Sequence, residues 1–219
     1  MSLSLSVEPS DRALADLSVK ALFGNAENER ICGIKNEQRR RKSIAGLLAL
    51  KNALRSDECR EIFRDNGGRP RFSSGSGIDF SISHSASLSV AAVLGEAQGR
   101  VGVDIELVRK DRREENLRIA KRYFTESEAK IVSNGSSPEE FYRIWTEKEA
   151  LAKLLGVGLA ALISDRSVLS GCKGITVYRF ELTYGAEKYL LTICSDVDSE
   201  VEIINGEEVS VCFIDQEIF

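Results

Sequence analysis

Histidine is nearly absent from this sequence, and its cysteines form no recognisable metal or disulfide pattern. His84 is the only histidine among 219 residues. The cysteines are odd in number and widely spaced, and no C-x-x-C pair occurs, so neither a zinc site nor a disulfide framework is indicated. We therefore expect reduced cytoplasmic thiols. The cysteines stand at positions 32, 59, 172, 194 and 212.

The sequence also lacks a long apolar run, a leader-like start and a surplus of positive charge. No apolar stretch approaches the roughly 18 residues that a membrane-spanning helix needs, and the first residues show no basic segment followed by an apolar one. Lys and Arg number 30 against 34 Asp and Glu, a formal net charge of −4, whereas nucleic-acid binders usually carry a basic surplus. We expect a cytoplasmic protein that binds neither nucleic acid nor membrane.

The periodicity of the apolar residues predicts two helices, each followed by strands. Residues 37–55 have apolar side chains at helical spacing, and residues 139–155 form a second helix that ends at Gly156. Alternation predicts two strands within 78–94 that bend at His84. This order predicts an α+β fold of two pseudo-symmetric α/β halves, residues 1–99 and 100–219. We expect the active site in the cleft between them and, since one chain supplies both sides, a functional monomer. Further strands are predicted at 101–107, 175–182, 188–195 and 209–213.

Two carboxylates in the strand at 101–107 are candidate metal ligands. Successive side chains of a strand alternate between its faces, so Val103 and Ile105 face a core while Asp104 and Glu106 project together from the other side. Carboxylates this close repel one another, and Mg²⁺ bound to them and to phosphate oxygens removes the repulsion. The alternative is an exposed strand face with two solvated acids.

The second helix carries an acid between an aromatic residue and a cation. Trp145, Glu149 and Lys153 lie on one helical face at spacings of four residues. Glu149 is a candidate third metal ligand or general base, and Lys153 a candidate phosphate ligand. The alternative is an ordinary Glu–Lys pair on the helix surface.

Two further residues are candidates for anion binding. His84 lies in a strand bend between Ser83 and Ser85, where hydroxyl and backbone N–H groups can meet an anion. Arg69 lies in a Gly-rich turn, which is a natural position for a phosphate contact. The alternatives are a packing or surface position for His84, which is usual for a lone histidine, and plain solvation for Arg69, which is common for an arginine in a turn.

Taken together, these segments resemble the signature of the 4′-phosphopantetheinyl transferases. The signature elements, in chain order, are Gly68-Arg69-Pro70, Phe80-Ser-Ile-Ser-His-Ser85, Gly102-Val-Asp-Ile-Glu106, Tyr123-Phe-Thr-Glu-Ser-Glu128 and Trp145-Thr-Glu-Lys-Glu-Ala-Leu-Ala-Lys153. The clear resemblance covers residues 68–158. The length and two-half layout are similar to the longer, single-chain type that activates nonribosomal peptide synthetases.

The resemblance implies an activity, a cofactor and a partner. A member of this family moves the phosphopantetheine arm of coenzyme A to a serine of an apo acyl or peptidyl carrier protein and releases 3′,5′-ADP, with Mg²⁺ at the pyrophosphate. The implied metal ligands are Asp104, Glu106 and Glu149. The implied phosphate ligands are Lys42, Arg69, Ser83, His84 and Lys153, with Lys42 at the 3′-phosphate. The implied catalytic residues are Glu149, Lys153 and His84, and Glu128 either assists in the outer shell of the metal or only caps a helix.

Three other functions use some of the same residues. A metal-dependent nuclease also needs strand carboxylates, a Glu and a Lys, but the acidic charge balance disfavours it. A serine hydrolase built on His84 and Asp104 is disfavoured because no G-x-S-x-G element occurs. A non-catalytic binder of coenzyme A or of a carrier is disfavoured because the set of acids is complete.

Overall fold

A computed structural model describes most of the chain as helices and strands. The described residues are 2–11, 19–56, 58, 60–65, 68–72, 76–95, 99–164, 174–206 and 208–218. Cys59, Cys172 and the Asn-Gly at 66–67 lie outside them. The strands are β1 (Ser2–Pro9), β2 (Ile62–Arg64), β3 (Pro70–Phe72), β4 (Asp79–Ser85), β5 (Leu88–Leu94), β6 (Val101–Leu107), β7 (Thr176–Tyr184), β8 (Glu187–Ser195), β9 (Glu200–Asn205) and β10 (Val209–Ile218). The helices are α1 (Val19–Cys32), α2 (Glu37–Leu54), α3 (Arg113–Tyr123), α4 (Glu126–Asn134), α5 (Glu139–Leu155) and α6 (Leu159–Ser164).

The two larger sheets are built from the same unit. In each, a strand is followed by a long helix and then by an antiparallel hairpin, and the first strand pairs antiparallel with the second strand of the hairpin. The unit is β1, α2, β4 and β5 in one half and β6, α5, β7 and β8 in the other. The strand orders are β4-β5-β1-β9 and β10-β7-β8-β6. The predicted α+β fold with two related halves is confirmed.

The last two strands of the chain join different sheets. β9 pairs parallel with β1, and β10 pairs antiparallel with β7. A strand from the end of the chain therefore belongs to the sheet of the N-terminal half, and the boundary at residue 99 stays a prediction.

The main core lies between the two sheets. Side chains from β1, β5, β6, β7 and β8 form one buried apolar cluster, which includes Leu3, Leu5, Val103 and Ile105 with no exposed surface. On the outer side of the first sheet α2 forms a second cluster with β4 and β5, and α5 packs on β7 and β8 in a third. Burial of these apolar faces holds the order helix, sheet, sheet, helix.

Close packing of α5 on β6 determines how near the helix comes to the predicted acidic strand. A Cβ atom on Gly102 would lie 2.0 Å from the backbone oxygen of Ala150, so no side chain fits between them. The helix has Glu139 and Glu140 in its first turn, where acids complement the helix dipole, and ends at Gly156 with φ 71°. The predicted span of 139–155 is confirmed.

Several elements were missed or shortened in the sequence-based prediction. β1 was not predicted, although Leu3, Leu5 and Val7 alternate with serines in the period of a half-buried strand. The predicted strand at 209–213 continues to Ile218, where most of its side chains are exposed and apolar alternation gives no signal. Within the described residues, no helix is long and apolar enough to cross a membrane.

Candidate functional site

The strand β6 presents its two acids away from the main core, as predicted. Val103 and Ile105 are completely buried between the sheets, while Asp104 and Glu106 project from the opposite face. Asp104 is only 5% exposed. The alternative of two solvated acids is therefore wrong for Asp104, because α5 covers this face of the strand.

Lys153 joins α5 to the acidic strand. Its Nζ donates to Asp104 Oδ1 (2.7 Å), to Ser83 Oγ (2.9 Å) and to the backbone oxygen of Val103 (2.9 Å). Ser83 Oγ also donates to Asp104 Oδ1 at 2.7 Å. Among the ion pairs of the described residues Lys153 pairs with Asp104 and not with Glu149, so the alternative of an ordinary surface pair along the helix is wrong.

β4 and β6 meet along a seam of side-chain oxygens. Each edge strand of a sheet presents backbone N–H groups that need a partner when buried, and here alternate side chains of β4 accept from alternate N–H groups of β6. The offset is 22 residues in each of the three bonds, so the strands run parallel in one register. The bonds are Val101 N to Asp79 Oδ2 (2.9 Å), Val103 N to Ser81 Oγ (3.1 Å) and Leu107 N to Ser85 Oγ (3.0 Å).

Ser83 breaks this pattern of hydrogen bonds, and its position marks the centre of the site. Ser83 lies between Ser81 and Ser85 on β4, but its hydroxyl donates to the carboxylate of Asp104 and accepts from the ammonium group of Lys153. Ser85 additionally donates to Glu106 Oε2 at 2.8 Å. Ser81 and Ser85 were not among the predicted site residues; the signal was the period of two in Ser81, Ser83 and Ser85.

The acids of the site are short of compensating positive charge. Burial and then the charge of Asp104 raise the pKa of Glu106 to about 7. Burial and then the same charge raise the pKa of Glu149, against the pull of Lys153. Asp104 Oδ2 is buried and has no hydrogen-bond partner among the described residues. Three carboxylates thus surround one ammonium group.

This donor set fits Mg²⁺ by its chemistry. The ion prefers oxygen ligands and needs only one or two carboxylates, with waters and phosphate oxygens completing its shell. The unpartnered Asp104 Oδ2 next to Glu106 supplies such oxygens. In the described part of the chain, no three or more His, Cys, Asp or Glu side chains lie together in a group that could hold a metal ion.

His84 is an exposed residue near the end of β4, between Ser83 and Ser85. Packing around the ring lowers the pKa of His84, and the charges of Lys42 and Lys153 lower it further. The backbone oxygen of Lys42 accepts from Ser89 Oγ (3.1 Å), which holds α2 against β5 on this side. Lys42, His84 and Lys153 therefore lie close enough for their charges to interact.

The side chain of Arg69 is mostly buried and forms an ion pair. Its side chain is 10% exposed and pairs with Asp79, which is 11% exposed. Burial lowers the pKa of Arg69, although Asp79 counteracts this shift. The structure brings together the other predicted ligands of the site, while the guanidinium of Arg69 is engaged inside the protein.

Glu128 and Trp145 support the helix that carries Glu149 and Lys153. Glu128 Oε2 accepts from Thr125 N (2.6 Å) in the predicted capping box, and Oε1 pairs with Lys148 Nζ (2.9 Å). Trp145 packs against the rings of Phe124 and Phe141, within an apolar cluster to which α3, α4 and α5 contribute. Capping of α4 by Glu128 is confirmed, and its role in the outer shell of a metal stays a prediction.

Comparison with known proteins supports the resemblance noted above. Residues 100–196, which include β6 and α5, match the family model of the 4′-phosphopantetheinyl transferase superfamily. The 4′-phosphopantetheinyl transferase AcpT of Salmonella typhimurium is 32% identical over 142 residues, which is 63% of this chain and 70% of that protein. The 4′-phosphopantetheinyl transferase HetI of Nostoc is 39% identical over 92 residues, 40% of this chain and 36% of that protein.

A third relative is also named as a phosphopantetheinyl transferase. The L-aminoadipate-semialdehyde dehydrogenase-phosphopantetheinyl transferase of Xenopus laevis is 33% identical over 108 residues, 44% of this chain and 35% of that protein. The family match contains the acidic strand and the Glu149–Lys153 turn of α5, and AcpT is matched over more than two thirds of its length. The chain therefore belongs to the 4′-phosphopantetheinyl transferase superfamily.

Proposed function

We propose that this protein transfers the 4′-phosphopantetheine group of coenzyme A to a serine of an apo acyl or peptidyl carrier protein and releases 3′,5′-ADP. The observation that carries the proposal is the buried carboxylate of Asp104, held between Ser83 and Lys153 with one oxygen unpartnered among the described residues. Such a carboxylate suits a divalent cation, and the cation together with Lys153 would neutralise the charge of a pyrophosphate during transfer.

The cations near Asp104 are the proposed phosphate ligands. Three oxygens hold Lys153 Nζ in place, so its positive charge is already positioned at the site, and one of its three N–H donors would leave its present acceptor to bind a phosphate. Ser83 Oγ and the imidazole of His84 add hydrogen-bond partners on β4. Lys42, whose charge reaches His84, is the proposed ligand of the 3′-phosphate of coenzyme A.

Asp104, Glu106 and Glu149 are the proposed ligands of Mg²⁺. When bound, the ion neutralises charge on the pyrophosphate and orients it. Burial and then the charge of Asp104 raise the pKa of Glu106 and of Glu149, and this crowding of three carboxylates favours a cation at this place.

Glu149 is the proposed acceptor of the proton that the carrier serine loses. It lies on α5 one turn before Lys153 and faces Asp104, so a serine hydroxyl that approaches the phosphate bound at Lys153 comes within reach of Glu149, directly or through water. The hydroxyl oxygen then attacks the β-phosphorus, and 3′,5′-ADP leaves.

The decisive experiment is mass spectrometry of an apo carrier protein incubated with coenzyme A, Mg²⁺ and this protein. We expect the carrier to gain the mass of one phosphopantetheine group, and a carrier variant with alanine in place of the acceptor serine to gain nothing. Incubation with acyl and peptidyl carriers of several pathways identifies the preferred substrate. No gain with any carrier, together with measurable binding of coenzyme A, would contradict the proposal and favour a binder.

We further propose that the protein acts as a monomer in the cytoplasm. The proposed phosphate ligands on α2 and β4 and the proposed metal ligands on β6 and α5 belong to one chain. Sedimentation velocity at the concentration of the transfer assay tests this: activity found only in a trimer would contradict it.

A further inference from the structure

The guanidinium of Arg69 connects three elements that border the site. Its Nη1 donates to the backbone oxygens of Lys153 and of Leu154, the latter at 3.0 Å. Its Nη2 donates to Asp79 Oδ2 (2.6 Å) and to the backbone oxygen of Val101 (2.9 Å). Arg69 thus contacts the end of α5, the start of β4 and the start of β6.

These contacts provide hydrogen-bond partners and compensating charge for the elements that Arg69 touches. The last carbonyl groups of a helix have no intrahelical partner and favour a cation, and Arg69 supplies both the donors and the charge at the end of α5. Asp79 neutralises Arg69 and, with the same Oδ2, accepts from Val101 N, which starts the seam between β4 and β6. Removal of Asp79 leaves Arg69 charged and mostly buried, and removal of Arg69 leaves Asp79 with only the 3.7 Å ion pair to Arg71 Nη1.

Lys153 is consequently held at both ends. Its backbone oxygen accepts from Arg69, and its Nζ is held by Asp104 and Ser83. A side chain as long as that of lysine places its ammonium group accurately only when its backbone is also fixed.

We propose that Arg69 and Asp79 are positioning residues, which set Lys153 against Asp104, and that Arg69 does not bind the phosphates of coenzyme A in this protein. As a phosphate ligand, Arg69 would have to give up its 2.6 Å contact with Asp79, which is 11% exposed and would keep only the longer ion pair with Arg71 Nη1 (3.7 Å), and this is costly. The activity readout of this proposal rests on the proposed transferase function; its structural readout does not.

The test compares Arg69→Lys, Asp79→Asn and the double variant with the unchanged protein. Lysine keeps the positive charge but cannot make the forked contacts of a guanidinium, and asparagine keeps an oxygen for Val101 N. Arg64→Lys is the matched control, since Arg64 lies in the same β2–β3 hairpin and is 38% exposed. The measurements are kcat, KM for coenzyme A, the Kd of coenzyme A by calorimetry, and the Lys153 Nζ to Asp104 Oδ1 distance in crystals of each variant.

We expect both single variants to lower kcat by about 10- to 100-fold, as a displacement of a catalytic group by about 1 Å does. The Kd of coenzyme A should change by less than about threefold, and the double variant should be no worse than the single ones, because both substitutions break one unit. The 2.7 Å contact between Lys153 and Asp104 should be lost, and Arg64→Lys should behave like the unchanged protein.

Three results would overturn the proposal. A weaker Kd for Arg69→Lys alone, with normal kcat at saturating coenzyme A, identifies Arg69 as a phosphate ligand. A lower Tm with normal kcat and Kd at a temperature where the variants are folded identifies a purely structural pair. An unchanged Lys153–Asp104 contact in both variants excludes the positioning role, even if the wild-type protein transfers nothing and the proposed function fails.

Discussion

The two halves of this protein have the same strand–helix–hairpin frame but differ at two positions that decide the chemistry. When the hairpins are aligned on their two-residue turns, Ser4 of β1 and Asp104 of β6 occupy the same place. Ser4 pairs with Val93 and Asp104 pairs with Thr192, and each partner is the sixth residue of the second hairpin strand. By the same alignment Ser6 corresponds to Glu106.

This difference shows that the frame alone does not make a site. Both strands direct apolar side chains into the shared core and polar ones towards a helix, so the fold tolerates either set. Ser6 is fully buried, and its Oγ has no hydrogen-bond partner among the described residues. Only Asp104 and Glu106 bring charge, and only α5 supplies Lys153 to balance it.

The insertions between the first strand and the long helix also differ. In the N-terminal half this connection contains α1, which packs near α2 and β2. In the C-terminal half it contains α3 and α4, and the apolar cluster that they form with Trp145 supports the face of α5 that carries Glu149. The C-terminal half therefore has a more elaborate support for its functional helix.

The largest expected effect on transfer is that of a substitution at Asp104, whose counterpart in the N-terminal half is Ser4. We expect Asp104→Asn to abolish transfer, because it removes the charge of the central carboxylate while it keeps an acceptor for Ser83 and Lys153. Chelation by EDTA should have the same effect and be reversed by Mg²⁺. The readout is the rate of mass gain of a carrier.

Two controls accompany this variant. Ser4→Ala should transfer at the wild-type rate, since the serine carries no charge. Circular dichroism should show that Asp104→Asn is folded. Wild-type transfer in EDTA would disprove the requirement for a metal.

The second prediction concerns Glu149, for which the N-terminal half offers no identified equivalent. Glu149→Gln keeps the shape and one oxygen ligand but removes the charge. If Glu149 accepts the serine proton, kcat should stay depressed by roughly 10²–10⁴-fold at saturating Mg²⁺. If it is a ligand alone, high Mg²⁺ should restore kcat. We expect the persistent defect, and near-wild-type kcat at high Mg²⁺ would rule out the base.

The third prediction tests the helical insertion of the C-terminal half. Burial by itself raises the pKa of Glu128, but the hydrogen bonds from Lys148 and from Thr125 N outweigh it and lower the pKa below the ordinary value of 4.5. The Glu128 carboxylate therefore contributes stability above that value, and the contribution is lost as the pH falls through the lower pKa of the folded state.

Glu128→Gln is the variant that measures this contribution. We expect it to lose about 1 kcal/mol of unfolding free energy at pH 7 and to differ less from the wild type below about pH 4. Urea unfolding at both pH values gives the measurement. An equal difference at both pH values would contradict the role of the ionised carboxylate.

The smallest expected effect on transfer and stability is that of a substitution at Ser6, the counterpart of Glu106. Ser6→Ala removes a buried hydroxyl without a described partner, so we expect unchanged transfer and a stability that is equal or higher by up to about 1 kcal/mol. Thermal unfolding measures it. A loss of more than about 1 kcal/mol would show that Ser6 has a hydrogen-bond partner that the structure does not describe.

Much of the fold followed from patterns within single elements. The helices α2 and α5, the hairpin of β4 and β5, and the strand β6 were predicted within one or two residues, because each has strong periodicity and clear end signals. β9 and the short hairpin of β2 and β3 were not predicted. They are short or mostly exposed, and pairing across the fold determines them more than local pattern does.

The sequence predicted the residues of the candidate site but not the hydrogen bonds and ion pairs that they form. The sequence motifs pointed to Asp104, Glu106, Glu149 and Lys153, and the structure places them together. For Arg69 the motif suggested a phosphate ligand, whereas its guanidinium is engaged with Asp79 and the end of α5.

By itself, the sequence determined which residue types stand at which positions: acids on alternate residues of β6, serines on alternate residues of β4, and Glu149 and Lys153 one turn apart on α5. Only the tertiary structure decided that β4 and β6 run side by side with a constant offset, and that Lys153 reaches Asp104 and not Glu149. The physical reason is that periodicity specifies a face of an element. Contacts between faces depend on how the apolar clusters pack and on where buried N–H groups and charges find partners.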